Sequence, residues 1–312
     1  MTASLSELSL LQTRQRLNSA KGLRLRMGPF VTAVQTPLVD VARSVHQLYA
    51  GYPLVTEDEF TDFSVSIRRP AGLRSYWNPQ VTFGLDGQEP FNPLPGNQGF
   101  PLLEWGLNWC VYGMCHQYLI LHAAVLERHG RALILPAPSG SGKSTLCAAL
   151  LFHGWRLLSD ELTLICPKTG LLVPNPRPVS LKNASIEVIS KLAPGVHFGS
   201  RIEETTKGVV AHFAAPASSL MDAQRPALPG WVVMPKYRAG APTRLQPLEK
   251  ARTLVQLAEN SFNYDIFGRE GFDMLVQLVD RSACYSFEYS QLTEAIELFD
   301  RLADGSDVGL VP

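Results

Sequence analysis

The chain has 312 residues, 28 Lys+Arg against 28 Asp+Glu, 46% hydrophobic residues and five cysteines. That length can bury a large core and lies near the size at which one domain becomes two. A net charge of zero leaves no electrostatic footprint for nucleic acid or an anionic membrane, and cysteines without a C-x-x-C pair fit a reducing, cytoplasmic setting.

The first residues, MTASLSELSLLQTRQRL, hold no long apolar region, and no stretch is long enough to span a bilayer, so neither a secretory signal nor a membrane partner is expected. Residues 4–20 place Leu5, Leu8, Leu11 and Leu17 among polar residues and predict an amphipathic helix. Residues 60–68 alternate as a strand, which Pro70 and Gly72 end. The stretch 86–101 is dense in Pro, Gly and Asn and predicts a long loop or a domain boundary. The chain therefore divides, on sequence, into a small N-terminal α+β region over residues 1–95, suited to choosing an acceptor or partner, and a larger domain over 96–312. Residues 102–115 predict a buried helix carrying Cys110 and Cys115 as buried thiols. Buried strands follow at 118–127 and 132–135, joined by a tight turn at His129-Gly130.

The second of these strands feeds A-P-S-G-S-G-K-S-T, residues 137–145, after which Leu146, Ala149 and Leu150 have helical spacing and Gly154 marks a stop. A buried strand, a glycine-rich turn and Lys-Ser opening a helix form a cradle for nucleotide phosphates. Backbone N–H groups over Ser139, Gly140, Ser141, Gly142, Lys143, Ser144 and Thr145 face the anion, and the positive end of the helix dipole adds to that field. In this pattern Lys143 supplies a charge for the β/γ-phosphates and Ser144 a hydroxyl for Mg²⁺, so ATP with Mg²⁺ is the expected ligand. Ala137 stands where the pattern has its first glycine; alanine resists positive φ, so that corner is expected to follow a different backbone path.

Apolar runs at 155–158 and 162–166 flank Ser159-Asp160-Glu161, and Asp160 lies seventeen residues after Lys143, one helix and one turn away. One carboxylate of the pair can hold Mg²⁺, directly or through water, while the other accepts a proton; an acidic turn between two strands is the plainer alternative. His122, inside L-I-L-H-A-A-V, reads equally as a core histidine or as a neighbour that tunes Asp160. Arg177 in N-P-R-P, Lys182 in S-L-K-N and Lys207 in T-T-K-G sit on stiff or glycine-flanked loops that suit phosphate or acceptor contacts, although each alone reads as an ordinary surface cation. After the turn at Lys168-Thr169-Gly170, strands are predicted at 208–213 and 230–234 and helices at 248–257, 272–279 and 292–302. Strands interleaved with helices predict an α/β domain, and the hairpin-like strand pairs predict a mixed rather than a purely parallel sheet.

The order L-I-L-H-A-A-V-L-E-R-H-G-R-A-L-I-L-P, A-P-S-G-S-G-K-S-T and G-W-R-L-L-S-D-E-L resembles the HPr serine kinase/phosphorylase family. With L-L-E-W-G-L-N-W, R-P-V-S-L-K-N and N-S-F-N-Y, it is more similar to the HPr-kinase-related kinase A group, over about residues 100–312. The resemblance implies an α/β P-loop kinase core of the HPr kinase / phosphoenolpyruvate-carboxykinase-like type, with a mixed sheet. It also implies Lys143 and Ser144 as phosphate and Mg²⁺ ligands, Asp160 as proton acceptor and His122 as its neighbour. Glu161 departs from the family, standing where a second Asp belongs, and the E-x-R-G-x-G-type stretch for phosphatase and phosphorolysis activity has no counterpart, so a kinase-only enzyme is implied. The related group implies a bacterial peptide-modification type of system, a Ser/Thr peptide or protein acceptor and a small peptide-chaperone partner, with a homo-oligomer allowed. Kinase action on a small hydroxylated molecule, or a non-catalytic nucleotide-binding switch or scaffold, are the alternatives.

Overall fold

The computed structural model describes residues 3–71, 77, 79–138 and 140–306. Gly72 and Ser139, to which the sequence assigns a strand end and a phosphate contact, lie outside the described residues. The chain forms two compact units, one of residues 1–111, 177–183 and 196–220, the other of residues 112–176, 184–195 and 221–312. Where the sequence suggests a boundary near residue 95, the first unit runs on to Val111 and takes back two later segments.

The chain opens with Leu10–Leu17 (α1), Leu23–Met27 (β1), Phe30–Gln35 (β2), Val39–Leu48 (α2), Phe63–Arg68 (β3), Gln80–Leu85 (β4), Leu94–Pro95 (β5) and Gly99–Met114 (α3). The helix predicted over 4–20 is broken: a 3-10 turn at Leu5–Glu7 precedes Ser9, which caps α1. The Ser9 hydroxyl accepts from the Gln12 N–H at 3.3 Å while the Gln12 side chain accepts from the Ser9 N–H at 2.8 Å, a reciprocal cap that fixes the start of α1. Strands β1 to β5 form one sheet in sequence order, with β2 and β3 parallel. Alternation along β1 and β3 buries Leu23, Leu25 and Met27, and Phe63, Val65 and Ile67.

The second unit begins with Leu119–Arg128 (β6), Arg131–Pro136 (β7), Lys143–Leu151 (α4), Arg156–Ser159 (β8), Leu162–Ile165 (β9) and Leu172–Val173 (β10). Next come Val179–Lys182 (β11) of the first unit, Ala184–Leu192 (α5) of the second, then Ile202–Thr205 (β12), Gly208–Phe213 (β13) and Ala217–Met221 (α6). Strands β11, β13 and β12 make a small sheet of their own in the first unit. The second unit ends with Leu228–Tyr237 (β14), Arg244–Pro247 (β15), Lys250–Glu259 (α7), Tyr264–Phe267 (α8), Arg269–Asp280 (α9), Ala283–Tyr289 (β16) and Leu292–Ala303 (α10).

Its sheet runs β10-β9-β6-β7-β14-β16-β15, with β8 also pairing to β6. β14 is parallel to both β7 and β16, while β6 is antiparallel to β7, β8 and β9, so the sheet is mixed. The β6–β7 hairpin closes where the sequence places its turn: His129 and Gly130 both have positive φ (55° and 79°), the two-residue geometry whose twist matches paired strands. Leu119, Leu121, Ala123 and Val125 of β6 join a core cluster with Leu257 of α7 and Met274, Leu275, Leu278 and Val279 of α9. By the two-residue period of a strand, Ile120, His122, Ala124 and Leu126 belong to the opposite face. α4 packs with α5 and α10. Among the described residues no helix is long and apolar enough to cross a membrane, and no disulfide joins the cysteines, of which Cys110 and Cys115 are buried.

Candidate phosphate-binding site

β7 delivers the chain to Ala137 and Pro138, and α4 starts at Lys143. Gly140 (φ +86°) and Gly142 (φ +88°) take the left-handed backbone between them. Gly142 is needed for space as well, since a Cβ there would lie 2.5 Å from Tyr289 Oη and 2.8 Å from Tyr237 Cβ. Ala137 is not among the described residues with positive φ, so the loop spares that corner the conformation alanine resists.

Two tyrosines that the sequence does not single out hold this loop. The Tyr237 N–H, at the end of β14, donates to the Ser141 carbonyl at 2.8 Å. The Tyr289 hydroxyl, at the end of β16, donates to the Gly142 carbonyl at 3.1 Å; that oxygen also accepts from the Leu146 N–H at 2.9 Å, the first bond of α4. β7, β14 and β16 are mutually parallel, so all three present their carboxyl ends at one edge, where ligands of open α/β sheets bind. Lys143 is only 7% exposed and Ser144 and Thr145 are half-buried, while Ser141 Oγ is buried and meets no hydrogen-bond partner among the described residues.

The acidic pair is set by a break in pairing. β9 pairs with the first half of β6 (His122 opposite Leu162) and β8 with the second half (Val125 opposite Ser159). Ser159 Oγ accepts from the Leu162 N–H at 3.0 Å and the Glu161 N–H at 3.4 Å, capping the break at Asp160-Glu161. The carboxylate pair thus stands beside Ala123-Ala124, whose other edge faces Pro136 and Leu135, the end of the strand entering the glycine loop. Two strand spacings make this separation about 10 Å between backbones. Both sides of the site bear on one thiol. Burial raises the pKa of Cys147, one turn into α4 from Lys143, the Asp160 carboxylate raises it further, and the Lys143 ammonium lowers it.

His122 is half-buried. The edge of β6 that β7 does not reach is covered by N-S-F-N, residues 260–263. The His122 N–H donates to the Asn260 carbonyl at 2.7 Å and the Phe262 N–H to the Ile120 carbonyl at 2.9 Å. The fully buried Asn263 amide closes this mock strand, accepting from the Ile120 N–H and donating to the Tyr118 carbonyl, both at 2.9 Å. Phe262 is thereby stacked on Tyr112 (centroids 4.5 Å, planes 12° apart), with the His122 ring 5.8 Å away. Burial raises the Tyr112 phenol above its ordinary value, and the Glu161 carboxylate adds to it.

The three basic candidates belong to the first unit. Arg177 is 6% exposed; its guanidinium donates to Asn108 Oδ1 and, at 3.4 Å, to the Glu104 carbonyl, and it lies 3.7 Å from the Glu104 carboxylate, which the Tyr49 hydroxyl also meets. Those groups anchor N-P-R-P to α3 inside the first unit's core. Lys182 is half-buried at the end of β11, and Lys207 is exposed with its ammonium 5.1 Å from the Trp105 ring centroid. Among the described residues no group of three or more His, Cys, Asp and Glu is placed to hold a metal ion. A Mg²⁺ bound with phosphates takes only one or two protein oxygens beside its waters, and Ser144, Asp160 and Glu161 are donors of that kind.

A family model described as SynChlorMet cassette protein ScmC matches residues 105–180, a span that runs from α3 through the glycine loop and the acidic pair. No curated protein matches the chain.

Proposed function

We propose that the chain is an ATP-dependent phosphotransferase that moves the γ-phosphate onto a hydroxyl, that of a Ser or Thr in a peptide or protein. The observation that carries this reading is the arrangement across β6: a loop of two left-handed glycines opening α4 on one side, and a strand break holding Asp160 and Glu161 on the other. The loop's backbone N–H groups and the positive end of α4 suit phosphate oxygens. Lys143, on the first turn of α4, adds the cation, and Asp160 accepts the proton of the attacking hydroxyl. Ser144 with one of the two carboxylates would hold Mg²⁺, which when bound supplies charge neutralisation at the phosphates. The finer fold assignment, a P-loop kinase core of the HPr kinase / phosphoenolpyruvate-carboxykinase-like type, rests on the motif resemblance. So do the peptide acceptor and a small peptide-chaperone partner; the matched family's description as a cassette protein supports work beside other components.

The test is titration of Mg·ATP into wild type and Lys143→Ala, followed by phosphate transfer from labelled ATP to candidate peptides. Charge-assisted contacts of this kind are worth about 1.5–3 kcal/mol, so Lys143→Ala is expected to bind roughly 10- to 150-fold more weakly. Equal affinities would remove the phosphate-loop reading. Tight binding without transfer to any peptide or small hydroxylated acceptor would favour a nucleotide-binding switch.

His122 gives a second measurement. Half-buried on the face of β6 opposite the core cluster, it is expected to tolerate Gln with little change in melting temperature, while phosphate transfer slows. A lower melting temperature with an unchanged rate would make it a packing residue.

A further inference from the structure

The edge of the second unit's sheet is chemically lopsided about the glycine loop. In the order β9-β6-β7-β14-β16, the carboxylates Asp160 and Glu161 lie on the β6 side of β7, and Tyr237 and Tyr289 lie on the β14 side. A nucleotide whose phosphates rest on the loop with the reacting end toward the carboxylates must send its nucleoside the other way, over the ends of β14 and β16.

We propose that the ring of Tyr237 is the platform for the nucleoside base and that Tyr289 is the positioning residue beneath it. This rests on the phosphate-loop reading above. Tyr237 is 49% exposed, whereas Tyr289 is 1% exposed, so the two rings share one site but only the first is open to a ligand. Behind Tyr237 stands a row of rings: Tyr289 meets it edge-on at 5.7 Å, Phe287 stacks on Tyr289 at 5.0 Å, and Phe299 of α10 meets Phe287 at 4.9 Å. Such backing holds an aromatic face in place before a ligand arrives, which lowers the ordering cost of binding. The platform is also tied to the phosphate end of the site, because the Tyr237 N–H bonds to the Ser141 carbonyl and the Tyr289 hydroxyl to the Gly142 carbonyl. A ring in this place stacks any base, since every base offers a π face; purine and pyrimidine triphosphates should both bind.

Inorganic tripolyphosphate, which lacks the nucleoside, separates the two roles. Its affinity and that of ATP, each with Mg²⁺, would be measured by calorimetry for wild type, Tyr237→Ala and Tyr289→Phe. Stacking on one aromatic side chain predicts that Tyr237→Ala loses about 5- to 150-fold in ATP affinity and nothing for tripolyphosphate. Tyr289→Phe, which keeps the ring and removes the hydroxyl that holds the loop, should weaken both ligands by the same factor. Unchanged ATP affinity in Tyr237→Ala, or equal losses for both ligands, would overturn the base platform. If Tyr237→Ala does not fold, Tyr237→Leu, which keeps bulk without a π face, is held to the same two outcomes. Wild type that binds neither ligand would count instead against the phosphate-loop reading itself.

Discussion

Asp160→Asn is expected to bind Mg·ATP close to wild type and to transfer phosphate about 10²- to 10⁴-fold more slowly, the usual contribution of a positioned general base. The substitution keeps the shape of the side chain and removes its capacity to take a proton. Its backbone surroundings should survive, because Ser159 caps the strand break from outside the substituted residue, through the Glu161 and Leu162 N–H groups. A collapse of turnover with binding retained therefore reads on chemistry and not on folding. Full transfer by Asp160→Asn would move the proton-accepting role to Glu161, which sits on the same break.

Glu127→Ala is expected to lower the stability of the second unit by about 3–5 kcal/mol, the range for removing one partner of a buried ion pair. Glu127 is 4% and Arg156 is 7% exposed, and the two are hydrogen-bonded. Arg156 also donates to the carbonyls of Asp222 and Arg225, both at 2.9 Å, while the Glu127 carboxylate accepts from the Gly130 N–H in the β6–β7 turn and lies 3.5 Å from Arg225. Deleting the carboxylate leaves the guanidinium buried with its charge uncompensated. Burial alone would raise the Glu127 pKa, but the hydrogen bonds from Arg156 and Gly130 and the charges of Arg156 and Arg225 outweigh it and hold the carboxyl below its ordinary value. A carboxylate depressed in the folded state contributes stability that is full above its unfolded pKa and is lost as pH falls through the folded one. The resistance of wild type to urea should accordingly fall on acidification below the ordinary carboxylate range, and Glu127→Ala should flatten that limb. A loss under about 1 kcal/mol would mean that water reaches Arg156 and screens it.

The elements legible in the sequence are those whose signal is local. The His129-Gly130 turn, the apolar runs of β6, β7, β8 and β9, the glycine loop and the helical spacing of α4, α7, α9 and α10 each lie within a few residues of their cause. β1, β2, α2 and β16 are not among the predicted elements, although Tyr285-Ser286-Phe287-Glu288-Tyr289 of β16 alternates aromatic and polar residues at the period of a strand. The helix predicted over 4–20 fails at Ser9 because a capping residue ends one turn and starts another where leucine spacing continues.

In the site, local pattern alone marks the loop: glycines where φ is positive, Lys-Ser where the helix begins, and an acidic pair one helix later. Those follow from backbone sterics and chain distance, which act along the chain. What surrounds them comes from the fold. Tyr289 reaches Gly142 across 147 positions, and Asn263 completes β6 from 143 positions beyond Ile120. Whether an arginine is a free arm or a buried anchor depends on which helix lies beside it, as Arg177 against Glu104 and Asn108 shows. Contacts of that kind arise from packing between distant segments, and a residue's type carries no record of its future neighbours.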